Sequence, residues 1–146
     1  MGARRNLIAG MLLLSCSLLV GAFMSSARDI TWVQDLLKWP PIRRNQVMYA
    51  HAHLGVLGLV NVAIGLILPT CRLGAGLKAA ASWAAIFPGI LVPAGMLFAL
   101  LPAPWEKLVY LQAAGFALAM FATTTMAWGQ WASRADDADA PLPSVH

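Results

Sequence analysis

Four apolar stretches, at about 7–24, 47–68, 79–101 and 107–131, take up most of a 146-residue chain and dictate the solvent in which it folds. A helix rising about 1.5 Å per residue needs roughly 20 apolar residues to cross about 30 Å of hydrocarbon, and each stretch reaches or approaches that length. The stretches are continuously apolar, without the alternation of a lumen-lined barrel, so helices are expected and strands are not. Charged residues make up only 11% of the chain, whereas a soluble domain carries roughly 25% to wet its surface. The expectation is an all-α, four-transmembrane-helix antiparallel bundle over residues 1–132. It would be multi-pass in the inner (cytoplasmic) membrane, with the lipid bilayer as its first partner.

The links between the stretches differ. "TCRLGAG" and "PAPWE" are tight turns between antiparallel neighbours. The first link instead places Ile30, Val33, Leu36 and Leu37 near one helical face with Trp32 and Trp39 beside them, which reads as an interfacial lid over 29–39. "PPIRR" then ends the lid, because consecutive prolines cannot continue a helix. The acidic, Pro-containing segment 133–146 has no apolar periodicity and reads as a disordered tail.

Charge settles less. Arg4, Arg5, Arg72, Lys78 and Arg134 fall on one side of the membrane and Arg28, Lys38, Arg43, Arg44 and Lys107 on the other, a tie under the positive-inside rule. The Arg pair before the first helix tips both termini toward the cytoplasm. The first stretch also resembles a cleaved signal in its Arg4–Arg5 start and its "SSA" end, but its apolar part exceeds the roughly 7–15 residues of such a signal, so it reads as a retained helix. Cys16 and Cys71 suggest neither a disulfide framework nor a thiolate metal site. The net charge of +4 is not gathered into a basic patch, so nucleic acid is not an expected partner.

The chemistry concentrates in "YAHAHLGVLGLVNVAIGLILP", residues 49–69, where two histidines open the second stretch. At about 100° per residue His51 and His53 point about 200° apart, so they cannot share a face. Below His51 lie Gly55, Gly58, Val62 and Gly65, a stripe of small side chains. Below His53 lie Leu57, Val60, Ile64 and Leu68, a bulky face. Three readings of the small stripe stay open: close helix packing of the small-xxx-small type, a smooth bed for a flat cofactor held by His51, and a proton relay. Zinc or copper is disfavoured, since ligands two apart on one helix do not converge and no acidic group sits at membrane depth to complete a shell.

"AHAHL" opening a Gly-rich helix resembles the haem-ligating helix of the cytochrome c oxidase subunit I superfamily. The layout as a whole is similar to the small four-helix membrane enzymes styrene oxide isomerase and hydroxylaminobenzene mutase. The residues that carry this likeness are Ala50, His51, Gly58 and Pro69, together with "RNLIAGMLLLSCSLLVG" in the first helix. The resemblance spans the four-helix core through short motifs. It implies a haem b with His51 as its axial ligand, Gly55 and Gly58 beneath the porphyrin, and a small lipophilic aromatic epoxide or hydroxylamine as substrate.

Several positions depart from that pattern. Where the isomerase has an asparagine, an aspartate and a tyrosine lining its pocket, an ungapped count puts Leu57, Pro88 and Met96 here. Met96 introduces a second option, a thioether sixth ligand for an electron-carrying centre, against the commoner role of a packing residue. Arg43 and Arg44 precede His51 by eight and seven residues. They suit haem propionates as well as lipid headgroups, provided the second helix starts early. Asn61, Tyr49, Tyr110, Gln112 and Thr123–Thr125 are the remaining polar groups at or near membrane depth, and Asn61 needs a partner, since an unpaired amide in hydrocarbon costs several kcal/mol, of order 4–8. Pro88 and Pro93 should bend the third span.

Few titratable residues cross the spans, which suits a reaction needing no external electrons or protons. With the resemblance above, which implies it, the reading is an isomerase or mutase with ferric haem as Lewis acid. Two alternatives stand beside it: a cytochrome b-like electron carrier or haem sensor, and a cofactor-free membrane partner subunit. Four helices make a thin shell around a porphyrin, so a homo-oligomer is compatible with either haem reading.

Overall fold

The computed structural model describes residues 2–26, 41–98, 101 and 105–138, helices joined by short turns and loops, with no strand among them. Helix α1 spans Gly2–Ser26, α2 Pro41–Ile67, α3 Ala75–Ile86, α4 Pro88–Phe98 and α5 Tyr110–Ala138, the last preceded by a 3₁₀ turn over Trp105–Val109. Four segments are long and apolar enough to cross a membrane: Gly2–Ser25, Asn45–Ile67, Ala75–Phe98 and Lys107–Arg134. The protein is an all-α four-helix bundle of multi-pass membrane character.

The third crossing is built from two helices. Pro88 has no amide proton to give the Ala84 carbonyl, so the α3 ladder ends at Ile86 and α4 restarts at Pro88 itself, a favoured position for proline. Phe87 bridges the break, donating to Trp83 O and accepting at its own carbonyl from Ile90 and Leu91. Pro93 sits inside α4 without ending it.

The two faces of α2 receive different neighbours, which follows from their side chains. The bulky face builds the core: Leu57 is buried with Ala50, Val92 and Met96, and Ile64 and Leu68 are buried with Ala81, Ala84, Ala85, Ala122 and Met126. The glycine face takes α1, which packs more extensively on α2 than on any other element. Backbones touch there. A Cβ placed on Gly10 would lie 2.7 Å from Gly58 O and 2.8 Å from Val62 N. Lipid offers no hydrophobic gain for helix association, so such seams form where small residues let backbones approach.

Polar groups tie the crossings together. Asn6 of α1, Asn61 of α2 and Ser82 of α3 are completely buried. Asn6 Nδ2 donates to Asn61 Oδ1 at 3.0 Å and to Ser82 O at 3.2 Å, Ser82 Oγ donates to Asn6 Oδ1, and Asn61 Nδ2 donates to Leu57 O and Ala85 O. Asn61 therefore has the partner its cost demands. At the far end of α2, Pro69 stops the helix, and Gln130 of α5 donates to Ile67 O and Thr70 Oγ1 while Ser133 donates to Thr70 O.

Two expectations meet the edge of what is described. The lid at 29–39 lies outside the described residues. Helix α5 continues to Ala138, into the segment read as a tail, and 139–146 lie outside the described residues.

Candidate functional site

The site is built at the start of α2. Helix α2 begins at Pro41, early enough to place Arg44 seven residues before His51 and close to the same face, within about 20°. The side chains of Arg43 and Arg44 lie outside the described residues. His51 sits about 9 Å along the helix from the Asn45 end of the segment that is long and apolar enough to cross a membrane.

His51 turns toward α1. Ser17 Oγ, itself nearly buried, donates to the His51 carbonyl at 3.2 Å and lies 3.4 Å from Nδ1. With its one proton spent on the carbonyl, the hydroxyl accepts from Nδ1–H, which assigns the tautomer and leaves a lone pair on Nε2. Gly21 makes room for the ring: a Cβ there would lie 3.0 Å from Cε1 and 3.3 Å from Nε2. His53 points the other way and packs edge-on against Phe116 of α5, with ring centroids 5.5 Å apart. Its Nδ1 donates to Tyr49 O at 2.7 Å, which fixes the same tautomer.

Both Nε2 atoms share one property. Neither has a protein partner among the described residues, and Arg5 Nε is the one buried side-chain nitrogen or oxygen left without one. Each imidazole therefore keeps one ring nitrogen without a hydrogen-bond partner among the described residues. The remaining polar groups are mostly accounted for. Thr123 bonds back to Ala119 O and Met120 O, and Tyr49 and Tyr110 face outward. Thr124 and Thr125 line a groove of ≈ 460 Å³ with Phe121 and Trp128 of α5 and Leu77 of α3, and His51 is not part of it.

The glycine face is covered by α1. A Cβ on Gly55 would lie 3.0 Å from Ser17 Oγ, one on Gly58 2.9 Å from Leu14 Cγ, and one on Gly65 2.8 Å from Leu7 Cγ. The smooth bed expected beneath His51 is filled by α1, because a surface that admits a flat ring admits a helix backbone equally well. Gly55 and Gly58, expected beneath a cofactor, pack against α1 in the α1–α2 seam. Met96 is 7% exposed in the core against Ala50 and Leu57, about 100–120° round α2 from His51, so the two do not face each other across a shared space. The His51 imidazole has one nitrogen oriented by Ser17 and the other, beside Gly21, without a hydrogen-bond partner. Among the described residues no three His, Cys, Asp or Glu side chains gather into a metal-holding group.

Sequence reasoning found the histidines and Asn61 but missed Ser17, Gly21, Asn6 and Ser82. A serine within an apolar helix is a weak signal, since its hydroxyl can always bond back to its own helix. The chain matches no protein-family model, no curated protein and no solved structure.

Proposed function

We propose that the protein is a haem b protein of the inner (cytoplasmic) membrane in which His51 is the axial ligand, and that it rearranges a small lipophilic aromatic epoxide or hydroxylamine. The observation that supports ligation is the unpartnered Nε2 of His51, within a helix long and apolar enough to cross a membrane, with Nδ1 beside the Ser17 hydroxyl. An unpaired ionisable group is costly in the membrane and marks a functional site by default. Because α1 fills the glycine seam, the tetrapyrrole would approach His51 from outside that seam, at the lipid-facing or subunit-facing edge of the bundle. His53 meets the same tautomer requirement, so the choice of His51 rests on its match to the "AH" of the isomerase-like pattern. The chemistry that such a group supplies when bound is Lewis-acid polarisation of an epoxide or hydroxylamine oxygen. This chain's own part is to orient the imidazole through Ser17 and to exclude water with apolar helices.

A second reading, a cofactor-free membrane partner subunit, draws support from the same seam: the bundle closes its glycine groove with its own backbone. The visible absorption spectrum of the protein purified from haem-replete cells separates the two. The haem reading expects a Soret band that His51→Ala abolishes and His53→Ala leaves in place. No Soret band supports the partner subunit, and loss through His53→Ala alone refutes the ligand assignment. A ferric band that shifts on adding an aryl epoxide carries the isomerase reading, whereas a centre that responds only to quinol refutes it.

A further inference from the structure

We propose that the end of the α1–α2 seam beside His51 is a binding site for one copper(I) ion, held by His51 Nε2 and the thioethers of Met24 and Met48. The seam has a regular register. Leu7 of α1 meets Gly65 of α2, Gly10 meets Val62, Leu14 meets Gly58, Ser17 meets Gly55 and Gly21 meets His51, so α1 advances by alternating steps of three and four residues while α2 runs back by the same steps. That is the heptad spacing of two supercoiled antiparallel helices. The next step of three sets Met24 opposite Met48. In each of the five preceding layers one partner is glycine, which is what lets the backbones touch. The methionine layer has no glycine and cannot close in the same way, and accordingly Met48 is 49% exposed and Met24 is only partly buried.

His51 stands in the last glycine layer, next to that opening. Its Nδ1 faces Ser17, one layer back along the seam, and Nε2 is the nitrogen turned away from Ser17, lying over Gly21, where a Cβ would be 3.3 Å from it. A layer step of three residues is about 4.5 Å, within reach of an unbranched, flexible methionine side chain. One imidazole nitrogen and two thioethers are neutral donors, and that set selects a soft monovalent ion, copper(I). Zinc is a poorer match, because its sites draw on a fuller set of thiolates, carboxylates or imidazoles, and no such set gathers among the described residues. Along α2 the sequence offers His51 only a diverging His53, whereas the fold brings it a thioether from α1. The site uses the nitrogen that haem would take, concerns the chain without haem and does not rest on the haem reading.

The test is titration of the full chain, purified haem-free in detergent under ascorbate, with copper(I) buffered by bicinchoninate. One copper(I) per chain is expected, with both sulfur and nitrogen neighbours in its X-ray absorption spectrum. Met24→Leu and Met48→Leu conserve volume and apolar character, so the fold is kept, and each should weaken copper at least about tenfold. His53→Ala, and Met11→Leu at an exposed methionine elsewhere on α1, should change it less than about twofold. Absence of copper uptake overturns the site, and so does uptake that both Met24→Leu and Met48→Leu leave unchanged. A Met11→Leu loss as large as that of Met24→Leu marks indiscriminate thioether binding and overturns it as well. A failed copper titration on a chain whose Soret band depends on His51 overturns this site alone. Copper bound as expected by a chain that never shows a Soret band supports this site and overturns the haem reading alone.

Discussion

Gly10→Ala tests whether the glycine seam is a helix contact. The new methyl would lie 2.7 Å from Gly58 O, 2.7 Å from Val62 Cγ2 and 2.8 Å from Val62 N, and two of those three atoms are backbone that no rotamer change can move. Ordinary contact begins near 3.4 Å, so α1 and α2 must separate by more than half an ångström along a seam that also holds Gly55, Gly58 and Gly65. Overpacking of this kind costs about 2–3 kcal/mol. Replacing glycine by alanine inside a helix returns about 1 kcal/mol of backbone entropy. The net expectation is a loss of about 1–2 kcal/mol. Gly76→Ala is the control: a Cβ there meets nothing within 4 Å, so only the entropic gain applies and stability should rise slightly. Reversible unfolding by SDS titration, followed by helicity and tryptophan emission, reads both variants. Gly10→Ala as stable as Gly76→Ala would refute the backbone-contact account, and would reopen the stripe as a face available to a flat ligand.

Two further outcomes follow from the buried groups. Asn61→Leu removes the amide that joins α1, α2 and α3 and strands Asn6 Nδ2 with one acceptor, Ser82 O, so the same titration should show a loss of about 1–3 kcal/mol. Asn6→Leu added to it should cost less than the sum of the single losses, because the pair shares one network. Cys71 is 2% exposed beneath Gln130, so in the Cys16→Ala background a water-soluble maleimide should label the chain only after SDS unfolding. Rapid labelling in mild detergent would show that the α2–α5 end is open.

How far each feature could be read in advance depended on what its residues must do alone. A distortion of the third span was legible because Pro88 removes a donor wherever it is placed, but that it would split the span at Phe87 while Pro93 stays inside a helix was not. Leu57, Ile64 and Leu68 were legible as one bulky face, and that face is the core. The need of Asn61 for a partner was legible too, but its identity was not: Asn6 is 55 residues away and reaches Ser82 across 76, separations that no local pattern encodes. Ser17 acquires a role only because α1 brings it to His51.

Apolar length and scarcity of charge were enough to require four membrane helices, because hydrocarbon leaves the backbone no other way to satisfy its hydrogen bonds. The same residues required His51 and His53 to diverge, since helical periodicity is local. Whether the glycine stripe would hold a ring or a helix was beyond them, because both need the same absence of side chains. Only the packed bundle decided it: α1 brings a backbone with its own glycine, Gly10, against Gly58, and a van der Waals surface that is already filled admits nothing else.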